Sequence, residues 1–282
     1  MKIEKIALPV HYENKVRTSG ETPTLTAYLL DNFASFDSDR KRPLVIVCPG
    51  GGYAHLSDRE GEAVAVKMNS FGFQAAVLKY SLAPAEFPAQ ICDAAEAIFY
   101  ARSHAEEWHV DPKKIILCGF SAGGHVSASL GAFYKSQLVL NLLPYKADEI
   151  KPNALCLCYP VITAKEGDCH EGSVKNLLGN SKYTREDISL ENHIDTDFPP
   201  VFVWHTNEDS AVPAENSLYL VMALRKAKIP FEYHLFEHGH HGTSLCTEET
   251  ARPDNGGKDI IPQNAVWPEL FYRWVGKTEF LR

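Results

Sequence analysis

What this 282-residue chain lacks already bounds what it does. It has nothing near the roughly 18 consecutive apolar residues that a membrane span requires, and its longest apolar runs, such as residues 44–48, have strand length. Met1-Lys2-Ile3-Glu4-Lys5 carries no apolar h-region, so no signal peptide is expected and a cytoplasmic protein is. Positive charge is scarce: 28 Lys and Arg against 36 Asp and Glu leave a net charge of −8. Nucleic acid and anionic membrane surfaces both demand a basic face, so neither is an expected partner. There is no internal repeat and no low-complexity segment. The seven cysteines are an odd number, and Cys48, Cys118, Cys156 and Cys158 sit inside apolar runs. They read as reduced, core-filling thiols rather than a disulfide framework. Cys156 and Cys158 have no second pair at matching spacing, which argues against a zinc site.

The remaining composition, 45% hydrophobic and 23% charged, is that of an ordinary globular protein and excludes collagen-like, disordered and coiled-coil chains. From about residue 44, apolar runs of strand length alternate with helix-period segments, the mark of βαβ units and a mostly parallel sheet. Strands are expected at 25–30, 44–48, 74–80, 115–119, 155–159, 201–206 and 232–236. Helices are expected at 60–69, 89–103, from Ser121 onward, at 214–226 and at 264–275, with a turn at Asp111-Pro112. Doubly wound α/β folds often reach this length as one unit, so a single domain over residues 1–282 is expected. Residues 135–153 and 163–200 break the rhythm, and the second, polar and too long for an ordinary connection, reads as a lid-like insert.

The strand at 115–119 runs directly into Gly119-Phe120-Ser121-Ala122-Gly123-Gly124. A serine on a sharp strand-to-helix turn presents its hydroxyl, and flanking glycines remove side chains that would clash there. Ser121 is the candidate nucleophile, at a helix N-terminus whose free N–H groups favour developing negative charge. The strand at 44–48 opens into Pro49-Gly50-Gly51-Gly52-Tyr53, where a loop without side chains can turn backbone N–H groups toward a carbonyl oxygen. The N–H groups of Gly51, Gly52 and Ala122 are the candidate oxyanion hole. A phosphate-cradling loop is the competing reading, but no Gly-Lys-Ser/Thr follows and position 55 is histidine where Gly-x-Gly-x-x-Gly needs glycine.

After the strand at 201–206 comes Asn207-Glu208-Asp209. An acid here would orient a histidine and stabilise its charged form. Asp209 fits best, Glu208 is its near neighbour, and Asp195 and Asp197 in the polar insert are weaker candidates. After the strand at 232–236 comes Glu237-His238-Gly239-His240-His241-Gly242, with three histidines for one role. A metal cluster is the alternative, but adjacent His240 and His241 point apart and no matched ligand set accompanies them, so no metal is expected. His125, one helical turn after Ser121, reads as a packed helix histidine. Tyr53, His55 and Trp204 lie near the same loops, where lining a pocket and filling the core are equal readings, and Cys246 with residues 247–258 follows the histidine loop.

On these residues the chain resembles the α/β-hydrolases of the esterase and lipase superfamily, close to hormone-sensitive-lipase-like and acetyl-esterase-like enzymes, from about Pro43 to Trp274. Gly50-Gly51-Gly52 stands where lipase-like members carry His-Gly-Gly-Gly, with Pro49 replacing the histidine. Tyr80-Ser81-Leu82-Ala83-Pro84 is similar to their Tyr-Arg-Leu-Ala-Pro segment. The histidine loop matches the Gly-x-His-Gly pattern of a bacterial subgroup of acetyl esterases and carbohydrate-ester deacetylases. The resemblance thereby selects His241, which spacing alone leaves open. It implies an α/β-hydrolase fold and a serine carboxylesterase using Ser121, Asp209 and His241 on short acyl, in particular acetyl, esters of small molecules or carbohydrates, without a cofactor. The alternatives are an amidase or peptidase using the same triad and a non-catalytic ligand-binding relative. An apolar patch at the ends of the sheet would support a homodimer.

Overall fold

The computed structural model describes residues 1–277. Its centre is an eight-stranded sheet among the described residues, built from β1 (Lys2–Ala7), β2 (Thr24–Leu29), β3 (Arg42–Cys48), β4 (Gln74–Lys79), β5 (Val110–Phe120), β6 (Ala154–Cys158), β7 (Val201–Thr206) and β8 (Phe231–Phe236). The order is β1-β2-β4-β3-β5-β6-β7-β8. The first two strands are antiparallel to their neighbours and the rest run parallel. This is the doubly wound arrangement of an α/β-hydrolase.

Side chains alternate across the sheet, so each central strand feeds two cores. Leu44 and Ile46 of β3, Ile115 and Leu117 of β5, and Val201 and Val203 of β7 pack on one face. Val45 and Val47, Ile116 and Cys118, and Phe202 and Trp204 pack on the other. The first face is covered by α2 (Ala89–Ser103), α3 (Ala122–Phe133) and α8 (Glu215–Ala227), the second by α1 (Glu62–Ser70) and α9 (Trp267–Lys277). Burial on both faces explains the near-continuous apolarity of these strands. Short helices fill the two irregular segments: α4 (Gln137–Leu140) and α5 (Ala147–Ile150) in the first, α6 (Glu171–Leu178) and α7 (Arg185–Ile188) in the second.

The expected helix at 89–103 and strand at 201–206 have those bounds in the structure, most other expected elements are shifted by one to three residues, and three differences have a physical reason. β1 was not expected: its alternating Lys, Ile and Glu residues are largely exposed at the sheet edge, so no apolar run marks it. β5 starts at Val110 and carries the expected Asp111-Pro112 turn within it: the Asp111 carboxylate accepts from the Lys113 N–H at 2.9 Å, and the register slips between Arg42 and Leu44. Glu60 leaves the first helix and ends a 3-10 turn over Asp58–Glu60.

Parallel alignment decides where chemistry can gather. Register pairs Cys48 with Gly119, Phe120 with Cys158, Cys158 with Trp204, and Thr206 with Phe236. The C-terminal ends of β3, β5, β6, β7 and β8 therefore lie along one edge, and the five loops that follow them meet there.

Candidate active site

Ser121 stands at the turn between β5 and α3 with φ 51° and ψ −117°, a conformation that costs a non-glycine residue and persists only where its surroundings hold it. They do so through hydrogen bonds: the Ser121 N–H donates to the Cys158 carbonyl at 3.0 Å and its carbonyl accepts from the Val161 N–H at 3.0 Å. Close approach explains the flanking glycines. A Cβ on Gly123 would sit 2.0 Å from the Cys48 carbonyl oxygen, and one on Gly119 2.2 Å from that of Gly123.

His241 lies between Asp209 and Ser121. Its Nδ1 is 2.6 Å from Asp209 Oδ2 and its Nε2 is 2.8 Å from Ser121 Oγ. Because an ionised carboxylate only accepts, Nδ1 carries the proton and Nε2 accepts from the serine hydroxyl. The His241 ring rests edge-on against Tyr159, with centroids 5.0 Å apart. Asp209 is 5% exposed. Burial pushes its pKa up, but hydrogen bonds from His205 and His241, with the charge of His241 and the Val212 N–H, hold it well below the usual carboxylate range.

The structure separates the competing residues by giving each a different partner. Glu208 accepts from His238 Nδ1 at 3.0 Å and from the Gly239 N–H at 3.1 Å, at the surface. His240 Nε2 is 2.7 Å from Asp259 Oδ1. Asp195 and Asp197 pair with Lys135 on the outside of the molecule. His125 is buried and neutral: Tyr53 donates to its Nδ1 at 2.8 Å and its Nε2 donates to the Ile188 carbonyl at 2.8 Å. It thus ties α3 to the glycine loop and to the insert.

Among the described residues, no protein group engages the N–H of Gly51, Gly52 or Ala122. The N–H of Gly50, by contrast, donates to Glu60 Oε2 at 2.8 Å. Gly51 has φ +123°, and a Cβ there would lie 2.1 Å from the His55 carbonyl oxygen. Tyr80 donates to the Pro49 carbonyl at 2.6 Å, so a tyrosine anchors the loop at the position where proline replaces the resembled histidine.

Several residues that the sequence did not mark support this arrangement. Glu60, 3% exposed, also accepts from the Tyr159 hydroxyl at 2.7 Å, and Tyr159 in turn accepts from the Ser244 N–H at 2.9 Å. One carboxylate so joins the glycine loop, the ring behind His241 and the loop that carries His241. His205, fully buried, lies 3.2 Å from Asp209 Oδ2, with Ser217 on its other nitrogen at 2.7 Å. A lone histidine in the apolar run of β7, four residues before Asp209, was its only signal. From the insert, Asn176 donates to the Gly52 carbonyl at 2.8 Å and His170 lies over Gly52. Burial, then the charge of His241, lowers the His170 pKa, opposed by Asp209.

These loops border a cleft of about 420 Å³ containing Ser121, His241, Gly51, Gly52, His170 and Asn176. A wider groove of about 750 Å³ shares Arg59 but lies between α1 and the residues leading into α9, and holds none of the serine, histidine or acid. Behind the elbow, register places Cys118 beside Cys156, and with Cys158 their sulfurs lie within 4.8 Å of one another, a neighbour across the sheet that spacing along the chain did not show. All three thiols are buried in the apolar core.

Fold and site geometry define an α/β-hydrolase. The BD-FAE family model matches residues 30–224, and the chain belongs to that family. It is 36% identical over 252 residues to the endo-1,4-beta-xylanase B of Butyrivibrio fibrisolvens, with 86% of this chain and 38% of that protein covered. It is 29% identical over 210 residues to an acetylxylan esterase of Xylanibacter ruminicola, covering 72% and 41%. The chain thus spans about two fifths of these curated relatives. The carboxylesterase Cest-2923 of Lactobacillus plantarum has a similar structure, with TM-score 0.86, 29% identity and coverage of 100% of this chain and 99% of that one. An acetyl ester-xyloside bifunctional hydrolase of Caldicellulosiruptor lactoaceticus follows at TM-score 0.80, with 33% identity and coverage of 99% and 97%. No helix among the described residues is long and apolar enough to cross a membrane.

The buried imidazole of His125 carries a pH prediction. Burial lowers its pKa from the ordinary 6.5 to about 4. Between those values the unfolded chain binds more protons than the folded one, so this contribution to stability is complete above about pH 6.5 and falls as pH drops toward 4. The free energy of urea unfolding should decline across that window. In His125→Gln, which keeps a donor and an acceptor but does not titrate, it should decline less steeply, even though the variant is less stable at neutral pH. Parallel slopes for the two proteins would contradict the assignment.

Proposed function

We propose that the protein is a serine carboxylesterase that hydrolyses short acyl, above all acetyl, esters, including those on carbohydrates. The observation that carries the reading is His241 bridging Asp209 and Ser121 at 2.6 and 2.8 Å. In this mechanism His241 Nε2 takes the Ser121 proton as Oγ bonds to the ester carbonyl carbon. Asp209 holds the ring in that tautomer and stabilises the imidazolium. The carbonyl oxygen becomes an oxyanion within reach of the Gly51, Gly52 and Ala122 N–H groups, each such donor being worth about 10²–10³-fold in kcat. As the tetrahedral adduct collapses, the imidazolium protonates the departing alcohol and leaves an acyl-Ser121. Water, deprotonated by His241, then attacks the acyl carbon, and collapse releases the acid and restores the serine.

The modest cleft supports a small acyl group. Carbohydrate acetyl esters are supported by the names of the relatives from Xylanibacter ruminicola and Caldicellulosiruptor lactoaceticus. Residues 163–200, which bring His170 and Asn176 to the cleft, are proposed as a small lid over it.

Across p-nitrophenyl esters from acetate to decanoate, kcat/KM should peak at acetate, Ser121→Ala should lower kcat by about 10⁴-fold or more, and acetylated xylo-oligosaccharide should release acetate. A folded protein inactive on every ester would overturn the reading. Glu60→Gln leaves an amide group facing either the Gly50 N–H or the Tyr159 hydroxyl. Displacing either loop should lower kcat on p-nitrophenyl acetate by about 10- to 100-fold with little change in KM. An unchanged kcat per folded molecule would show Glu60 to be a stability residue only.

A further inference from the structure

The cleft has a cationic wall that the esterase chemistry does not use. Arg59 and Arg252 both border it, and both are anchored by one carboxylate, Asp259, which is fully buried. Arg252 clamps Asp259 side-on, with Nε 3.0 Å from Oδ2 and Nη2 3.1 Å from Oδ1, while its own N–H donates to Oδ2 at 2.8 Å. Arg59 Nη2 lies 3.0 Å from the same Oδ2, and its Nε donates to the Thr250 carbonyl at 2.5 Å. Two guanidinium groups thus share one ion-pair partner, with Asp254 acting on Arg252 from beyond ion-pair distance. The Nη1 of each meets no protein acceptor among the described residues.

The rest of the cleft leaves that excess unanswered. Glu60 is the one carboxylate among the described residues that border it, and both of its oxygens are already bonded in the buried network beneath the oxyanion loop. The other polar side chains on the wall are uncharged hydroxyls and an amide, of Ser57, Ser121 and Asn176, and the His55, His170 and His241 imidazoles. In a chain of net charge −8, a cleft wall whose exposed ionic groups are both arginines is a local reversal of sign. Arg252, held side-on by Asp259 through Nε and Nη2, presents its other edge in the fork geometry that suits a second carboxylate, while Arg59, whose Nη2 is buried against Asp259, contributes Nη1 and its charge.

We propose that Arg59 and Arg252 form a subsite for a carboxylate carried by the ester substrate, so that acidic esters are hydrolysed in preference to neutral ones of the same size. The inference rests on the esterase reading. The carboxylate can belong to the acyl part, as in a hemiester of a dicarboxylic acid, or to the alcohol part, as in an acetylated oligosaccharide bearing a uronic acid. In both cases the anion would dock on the arginine edges while the ester carbonyl meets Ser121.

The test compares kcat/KM within two matched pairs. One is p-nitrophenyl hemiglutarate against p-nitrophenyl valerate. The other is an acetylated uronic-acid-bearing xylo-oligosaccharide against its neutral counterpart. In the wild type the charged member should lead by about fivefold in at least one pair, the scale of a half-exposed ion pair, and the pair that responds identifies the side bearing the carboxylate. Arg252→Gln should abolish that preference, and Arg252→Lys, which keeps the charge without the fork, should retain part of it. If the arginines are only a clasp on the loop, both members fall together, the ratio stays where it was, and the proposal is overturned, as it is by a wild-type ratio at or below one in both pairs. Hydrolysis of neutral esters without such a preference removes the subsite and leaves the esterase reading intact. A folded wild type inactive on all four substrates removes both.

Discussion

The buried carboxylate of Asp209 is the group on which the site depends. Its Oδ1 accepts from the Ala211 and Val212 N–H groups and its Oδ2 from His205 and His241, so the acid is saturated with donors before any substrate arrives. An unpaired charge at this depth would cost several kcal/mol. Surrounded by donors, it instead fixes the one imidazole tautomer that leaves Nε2 free to accept from Ser121. His205, locked between Ser217 and the Val212 carbonyl, makes that geometry a property of β7 rather than of a loose loop.

The sheet then does for Ser121 and the glycine loop what β7 does for Asp209. β3 and β5 are adjacent and parallel, so the glycine loop and the serine elbow leave the same edge, and Gly123 lets the elbow helix approach the Cys48 carbonyl. A second buried acid, Glu60, couples these parts: through the Gly50 N–H and the Tyr159 hydroxyl it fixes the glycine loop relative to the ring that backs His241. The two carboxylates thus serve different ends, one fixing the tautomer of His241 and the other holding the glycine loop, and neither is exposed to solvent that would weaken it.

The parts of this arrangement legible in the sequence were those encoded locally. Burial writes apolar strands, and the elbow writes glycines around a serine, so β2 to β8, the Ser121 turn and the Gly51–Gly52 loop could be read from the chain alone. The histidine needed a family pattern, since three imidazoles within four positions are equivalent by spacing; the structure distinguishes them by the acid each one meets. Glu60 was invisible because its partner Tyr159 lies 99 residues away, and nothing about either residue in isolation announces the pair. The same holds for Asn176 against Gly52, and for the meeting of Arg59, Arg252 and Asp259. β1 was missed for a different reason: an edge strand with charged side chains carries no apolar signature.

The central claim is that Asp209, through His241, makes Ser121 nucleophilic. Its most direct test is the rate of covalent labelling by an alkyl fluorophosphonate at neutral pH, followed by intact mass and peptide mapping in the wild type and in folded Asp209→Asn. The account predicts a single adduct, on Ser121, formed about 10³- to 10⁴-fold more slowly in the variant, because an amide in place of the carboxylate favours the wrong imidazole tautomer. Equal labelling rates, or an adduct on another residue, would contradict it.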